Sequence, residues 1–380
     1  MSYASVSAHR SMVFDNERNS AYAKEIRRVV GPESVVLDLG AGMGVLGLIA
    51  AQAGAKKVYL VEPQAVVRAA IEIASENNLS DRIVILEGKV EEVAIPEKVD
   101  LILSVMAGNL LFSEDLLPSF YHARDKYLKD GGIVIPSVAE LVVAPVSAPK
   151  TYDFHVGRWN QPVEQLDFSA ALRYCANEII WQCRRGPETK LLAEGAVIQS
   201  VDMYTSQESD CAGEVDVAIQ LDDKTPCHGI LCWIRLKLGD TWLDAGQANS
   251  DLHWSPALFP LKEPIDIVDG SVSVKLTRPA YGHWTWILRH GAQKFRHSTF
   301  LSRLDTTDYL YKTAGQSAPG LSSGGREALA ILQCMEQGKS NEQMATMLMA
   351  MSTGRYGDKK AALHRVQQVT AVYGSSEANT

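Results

Sequence analysis

The stretch Val35-Val36-Leu37-Asp38-Leu39-Gly40-Ala41-Gly42-Met43-Gly44 carries the clearest chemical signal in the chain. An apolar run leads into a glycine-rich turn that opens a helix, and the glycines let the backbone pass close beside a ligand where any Cβ would collide. Dinucleotide sites use similar turns. Here the spacing Gly40-x-Gly42-x-Gly44 lacks the wider GxGxxG interval, and an acid, Asp38, precedes the turn by two residues. Glu62 ends the next apolar run, Tyr59-Leu60-Val61-Glu62, where a carboxylate can accept both hydroxyls of a ribose. Nicotinamide sites share that acid, so it implies a ribose without choosing the cofactor.

These groups need a rigid support, and the flanking segments supply one. Ser34 to Leu39 and Val58 to Val61 read as strands, with helices over Gly44 to Ala53 and Ala65 to Asn77. Ile83 to Glu87, Val99 to Ser104 and Gly132 to Pro136 add three strands. Strands spaced by helices predict a doubly wound α/β domain, here residues 1–137, with a parallel sheet covered on both faces. From Leu141 the pattern changes to strand-like segments, such as Glu214 to Leu221, His228 to Leu238 and Ser271 to Thr277, separated by Gly, Asp, Asn and Pro. That predicts a mainly antiparallel β-barrel over 138–310, with an irregular arm at about 151–180. Residues 311–325 form a small-residue linker, and 326–374 a small helical domain.

Composition narrows the class. A chain of 380 residues exceeds a single core, so several domains are expected. No apolar run approaches the length of a membrane span. The six cysteines show no CxxC pair, which argues for free thiols in a reducing, cytoplasmic setting and against a metal site. A net charge of −8 disfavours a general nucleic-acid binder and suits a basic protein or peptide partner.

Several motifs in order resemble the protein arginine methyltransferases. Val35 to Ala55 with Lys56-Lys57-Val58 looks like that family's first motif, and Gly88-Lys89-Val90-Glu91-Glu92-Val93 resembles its next segment. His9 through Arg18 is similar to its N-terminal helix, while Tyr121 to Leu128, Gly131 to Pro136, Val201 to Thr205 and Leu252-His253-Trp254 continue the likeness, which spans about residues 3–305. The resemblance implies S-adenosyl-L-methionine as cofactor. Arg18 would grip its methionine carboxylate in a charge-assisted contact. Asp38, Gly40, Gly42 and Glu62 would hold the nucleoside, and Val90 and Glu91 would border the adenine. It also implies a homodimer formed through the arm, in which Trp159-Asn160-Gln161 and Leu166-Asp167-Phe168-Ser169 resemble the family's pattern.

The acceptor site departs from the pattern. The family's catalytic hairpin carries two glutamates eight residues apart, which clamp a guanidinium and orient one nitrogen toward the sulfonium methyl. Here Glu114 occupies the second position, but Val105 stands at the first, followed by Met106-Ala107. A guanidinium stays protonated at ordinary pH, and one carboxylate cannot provide the paired grip. Three readings follow: the acceptor is another nitrogen on a protein, peptide or amino-acid-like molecule, a neighbouring acid such as Asp115 replaces the missing one, or the domain binds cofactor as an inert regulator. By the resemblance, His253 faces the acceptor pocket and pairs with an acid such as Asp15, and Trp254 walls the channel. Trp284 and Trp286 alternate as strand residues packed in a core.

Residues 326–374 lie outside the family pattern. Arg326 to Leu348 reads as a helix, a Gly338 stop, a Ser340 cap and a second helix, similar to the first part of a LuxR-type helix-turn-helix. DNA contact would need a third, basic helix, for which Lys359, Lys360, His364 and Arg365 offer little. A protein-contact module is the preferred expectation, with Met344, Met347, Met349 and Met351 in its core.

Overall fold

The structure is a computed structural model that describes residues 5–375, except 106, 107, 109, 222, 249, 269, 352 and 353. Met106 therefore lies outside the described residues. Two compact units emerge, Met1–Arg303 and Leu304–Thr380.

The first unit opens with a five-stranded sheet of β1 (Val35–Leu39), β2 (Lys57–Glu62), β3 (Ile83–Glu87), β4 (Val99–Ser104) and β5 (Leu128–Ile135). The order is β3-β2-β1-β4-β5, and every neighbouring pair is parallel. Central strands of such a sheet are apolar on both faces, and β1 is buried at all five positions. Helices α1 (Val6–Val13), α2 (Asn16–Val29), α3 (Val45–Gln52), α4 (Ala69–Glu76) and α5 (Leu117–Tyr127) accompany it. The helix expected over Ala65 to Asn77 begins as a 3-10 turn, Ala65–Arg68, and the strand expected from Gly132 begins four residues earlier. Because β1 has β2 on one side and β4 on the other, the connections diverge at its carboxyl end, where α/β sheets open a crevice for ligands.

The second layer comprises β6 (Val138–Ser147), β7 (Lys190–Leu191), β8 (Ala196–Asp202), β9 (Cys211–Ile219), β10 (Thr225–Leu238), β11 (Thr241–Asp244), β12 (Ala257–Ile267), β13 (Gly270–Arg278), β14 (Thr285–His290) and β15 (Gln293–Ser298). They form antiparallel sheets of six and four strands, built around β10-β6 and β14-β13. The sheets share one apolar core: Phe259 on β12 meets Trp284 and Trp286 edge-on, and Trp286 Nε1 donates to Pro260 O at 2.9 Å. Both tryptophans are thus packing residues.

Between β6 and β7 an arm carries α6 (Pro149–His155), two 3-10 turns and α7 (Leu172–Cys175). Tyr152 Oη donates to Lys262 O at 2.6 Å and anchors its base. Its tip leaves Phe154, Trp159, Val163, Leu166 and Phe168 exposed.

The second unit contains α8 (Thr307–Thr313), α9 (Ser323–Glu336), α10 (Asn341–Met351) and α11 (Lys359–Tyr373). The first unit ends at Arg303, and α8, none of whose residues is buried, falls in the second. Ile331, Cys334, Met344, Leu348, Ala362 and Val366 form a separate core. Met344 is buried and Met347 packs beside it, whereas Met349 and Met351 are exposed, contrary to their expected place in the core. The third helix exists and carries Lys359, Lys360, His364 and Arg365 with no acidic residue. Lys359 pairs with Glu342, and Arg355 with buried Glu327 at 3.0 Å.

Candidate active site

The glycine turn sits at the carboxyl end of β1. Gly42 has φ +55°, and a Cβ there would lie 2.9 Å from the His9 ring, so glycine is required both by conformation and by the closeness of α1. Glu62, at the end of β2, faces the turn: Gly42 N donates to Oε2 at 3.0 Å and Gln64 N to Oε1 at 2.9 Å. Each oxygen keeps a further lone pair for a hydroxyl donor.

Asp38 is 1% exposed and accepts from Gly47 N at 2.7 Å, which ties the start of α3 to the end of β1. It therefore braces the turn from behind, sealed from solvent. Burial raises its carboxyl to about 7 against the Gly47 hydrogen bond and the Arg18 charge.

Arg18 projects from α2 and is 3% exposed. Its Nη2 donates to Met12 O and Asn19 Oδ1, both at 2.7 Å, and Nε donates to Asn19 Oδ1 at 3.1 Å. Among the described residues Nη1 has no hydrogen-bond partner, so one edge of a buried guanidinium can receive an anion. Desolvation lowers its pKa, opposed by nearby Tyr22, Asp15 and Asp38. Tyr22 Oη donates to Ser104 O at 3.0 Å and joins the same helix to the end of β4.

Val90 is buried. Glu91 is exposed and accepts from Ser119 Oγ at 2.6 Å, a partner on α5. Burial would raise its pKa, but the Ser119 hydrogen bond and neighbouring groups lower it overall.

Asp15 caps α2 through Oδ1, which accepts from Arg18 N at 2.9 Å. Its Oδ2 accepts from His253 N at 2.9 Å and lies 2.7 Å from His253 Nδ1. Burial pushes the Asp15 carboxyl up, but the His253 and Arg18 hydrogen bonds outweigh it and hold the group below its ordinary range. An ionised Asp15 places the proton on His253 Nδ1 and leaves Nε2 as the other ring nitrogen. Trp254 is buried with its ring centroid 4.6 Å from that of His253.

In the loop between β4 and α5, Val105 is half-buried against the core. The Glu114 carboxylate lies 3.1–3.2 Å from where a Cβ on Gly108 would stand, so the two ends of the loop face each other. Asp115 is committed elsewhere. Arg278 grips it in a bidentate pair, Nη1 to Oδ1 and Nη2 to Oδ2 at 2.7 Å each, and Tyr281 N donates to Oδ1 at 2.8 Å. Hydrogen bonding from Arg278 is the main cause holding its carboxyl below the usual range. Asp115 therefore does not replace the missing glutamate.

Sequence reasoning missed this pair, whose members lie 163 residues apart, and missed Glu17, whose Oε2 accepts from Ser250 Oγ at 3.0 Å and helps seat the loop carrying His253. Long-range pairing of ordinary charged residues leaves no local pattern to read.

Two family models match along the chain: the ribosomal protein L11 methyltransferase (PrmA) over residues 23–138 and the arginine methyltransferase oligomerization subdomain over 137–279. A relative from Oryza sativa subsp. indica, probable protein arginine N-methyltransferase 6.1, is 32% identical over 316 residues, covering 72% of this chain and 82% of its own length. The chain belongs to the protein arginine N-methyltransferase family. The probable protein arginine N-methyltransferase 6 of Arabidopsis thaliana is 40% identical over 182 residues, 47% of this chain and 42% of that one. Among solved structures, the Trypanosoma brucei PRMT1 enzyme-prozyme heterotetrameric complex with AdoHcy matches with a TM-score of 0.69 and 26% identity, over 78% of this chain and all of that one. Arabidopsis thaliana protein arginine methyltransferase 10 supports the fold alone, with a TM-score of 0.66 and 22% identity over 78% of this chain and 99% of that one.

This arginine methyltransferase family member is an S-adenosylmethionine-dependent N-methyltransferase. Its residues fit that cofactor: a glycine cradle beneath His9, a carboxylate with spare acceptor sites at the second strand, and a buried guanidinium edge open to a carboxylate. Among the described residues no cluster suits a metal.

Proposed function

We propose that this chain methylates a nitrogen on a protein or peptide, with Glu114 as the sole carboxylate that holds the acceptor. The observation that carries this reading is the division of labour at 114 and 115: Glu114 lies across the loop from Gly108, while Asp115 is closed by Arg278. Relatives named arginine N-methyltransferases make an arginine side chain the first acceptor to test.

When bound, S-adenosylmethionine supplies an electrophilic methyl on a sulfonium. The chain's part is alignment and desolvation of the two reactants. Arg18 and Glu62 would fix the two ends of the cofactor, the Val90 backbone and Glu91 its base, and Asp38 would keep the turn rigid. Glu114 orients the acceptor nitrogen and accepts its hydrogen bond. His253, locked by Asp15, and Trp254 wall the approach. With Val105 in place of a second acid, a guanidinium loses one partner of a charged clamp, which slows its transfer by about 10²-fold or more relative to a paired site.

Assembly as a homodimer through the arm is part of this reading, supported by its five exposed apolar side chains and by the oligomerization subdomain that spans it. The unit beginning at Leu304 is read as a protein-contact module in preference to a DNA binder, because Lys359 and Arg355 are already paired with acids. Free thiols support a cytoplasmic setting, and no helix among the described residues is long and apolar enough to cross a membrane.

The test is transfer of an isotopically labelled methyl group to an arginine-rich peptide and to cell extract, with the label located by mass. Labelled nitrogen is expected for the native chain, with about a 10²-fold loss in Glu114→Gln and a gain on the arginine peptide in Val105→Glu. Cofactor binding without any labelled acceptor would favour an inert regulator, and full activity in Glu114→Gln would remove that residue from its role.

A further inference from the structure

We propose that Asp115 and Arg278 are positioning residues for the methyl acceptor, fixing the loop that carries Glu114 to the rim of the barrel. The inference rests on the role given to Glu114 above. Arg278 is the last residue of β13, 5% exposed, and its guanidinium reaches across to Asp115 in a planar two-point contact. Fork-to-fork pairs of this kind fix direction as well as distance. Tyr281 N adds a third donor from the turn after β13.

The other neighbour of Glu114 is tied as well. Trp284 Nε1, from the segment entering β14, donates to Ser113 Oγ at 3.1 Å. Glu114 is thus flanked on both sides by residues bonded to the barrel. Asp115 has φ +53°, and Leu110 and Leu111 in the same loop have φ +58° and +59°. Non-glycine residues hold such angles only where the surroundings over-determine them, commonly at functional sites. The ties come from the antiparallel layer, whereas the loop leaves the parallel sheet at β4. The barrel therefore sets the position of the one acidic group assigned to the acceptor. The same pair neutralises Asp115.

The experiment compares Arg278→Gln, Arg278→Lys and Asp115→Asn in the full chain. It measures kcat and KM with an arginine-containing peptide, cofactor affinity by calorimetry, and hydrogen exchange of residues 105–116. Arg278→Gln should lower kcat by about 10- to 100-fold, leave cofactor affinity within about twofold, and speed exchange in that loop while β1 is unchanged. Arg278→Lys keeps the charge and should restore part of the rate. Asp115→Asn keeps the side-chain volume and provides the second route should Arg278→Gln fail to fold. Unchanged kcat and exchange in folded variants would overturn the proposal. Cofactor affinity falling in step with kcat would overturn it too, since that marks a merely structural pair. If the native chain transfers nothing to the peptide, the reading of Glu114 fails, and loop exchange alone decides the anchoring.

Discussion

Asp38 and Asp115 are both acids near the proposed site, yet their surroundings push them in opposite directions. Asp115 gains a guanidinium and is held low, whereas Asp38 is enclosed and raised to about 7. For Asp38 the folded state favours the neutral form, so its contribution to stability is complete below roughly pH 4 and is lost as pH rises toward the raised value. Asp38→Asn keeps an acceptor for Gly47 N and removes the titration. Between about pH 4 and 7 the native protein should lose more thermal stability than this variant, and parallel melting curves would refute the assignment. Asp38, Glu62 and the glycines were legible from sequence because adjacent strands place them within a few residues of one turn. The bond of Asp38 was not, since its partner is a backbone amide on the following helix.

Helix α3 illustrates why the turn is rigid at the level of elements. A Cβ on Gly47 would approach Leu60 Cδ2 to 2.2 Å and Asp38 Oδ2 to 3.1 Å, so α3 is seated against β2 and over the buried acid. Gly47→Ala should destabilise the protein by about 1–3 kcal/mol through overpacking, read from urea unfolding. A neutral effect would mean that helix and strand are less closely packed than described. Strands β3 and β4 run over the same residues that the apolar runs imply; for β4, buried at five of its six positions inside the parallel sheet, burial on both faces leaves a continuous hydrophobic stretch in sequence. Element ends were harder: β5 includes the polar Lys129 and Asp130 and two glycines ahead of its apolar run, and its start is fixed by Leu128 pairing with Val99 across a register shift. In the acceptor loop Glu114 and Val105 were placed by resemblance, but the arginine that grips the neighbouring Asp115 comes from β13 and no local pattern announces it.

At the scale of the molecule, a parallel α/β sheet followed by antiparallel sheets appears in the order that the sequence signals imply. The arm leaves Trp159 and Leu166 in solvent, 38% and 62% exposed, and apolar side chains clustered on one projection point to a partner surface. Trp159→Ser combined with Leu166→Ser should convert a dimer to a monomer in sedimentation velocity, and an unchanged sedimentation coefficient would place self-association elsewhere. The boundary at Arg303 was not legible because α8, which has no buried residue, leaves no apolar signature in the sequence ahead of the small-residue linker at 311–325. The central proposal is that the glycine turn, Glu62 and the buried Arg18 guanidinium hold a nucleoside cofactor, and calorimetry tests it most directly. The native chain should bind S-adenosylmethionine and ignore a nicotinamide dinucleotide, and Arg18→Gln should weaken that binding by about 10- to 100-fold. Uptake of the dinucleotide with no binding of S-adenosylmethionine would contradict the account.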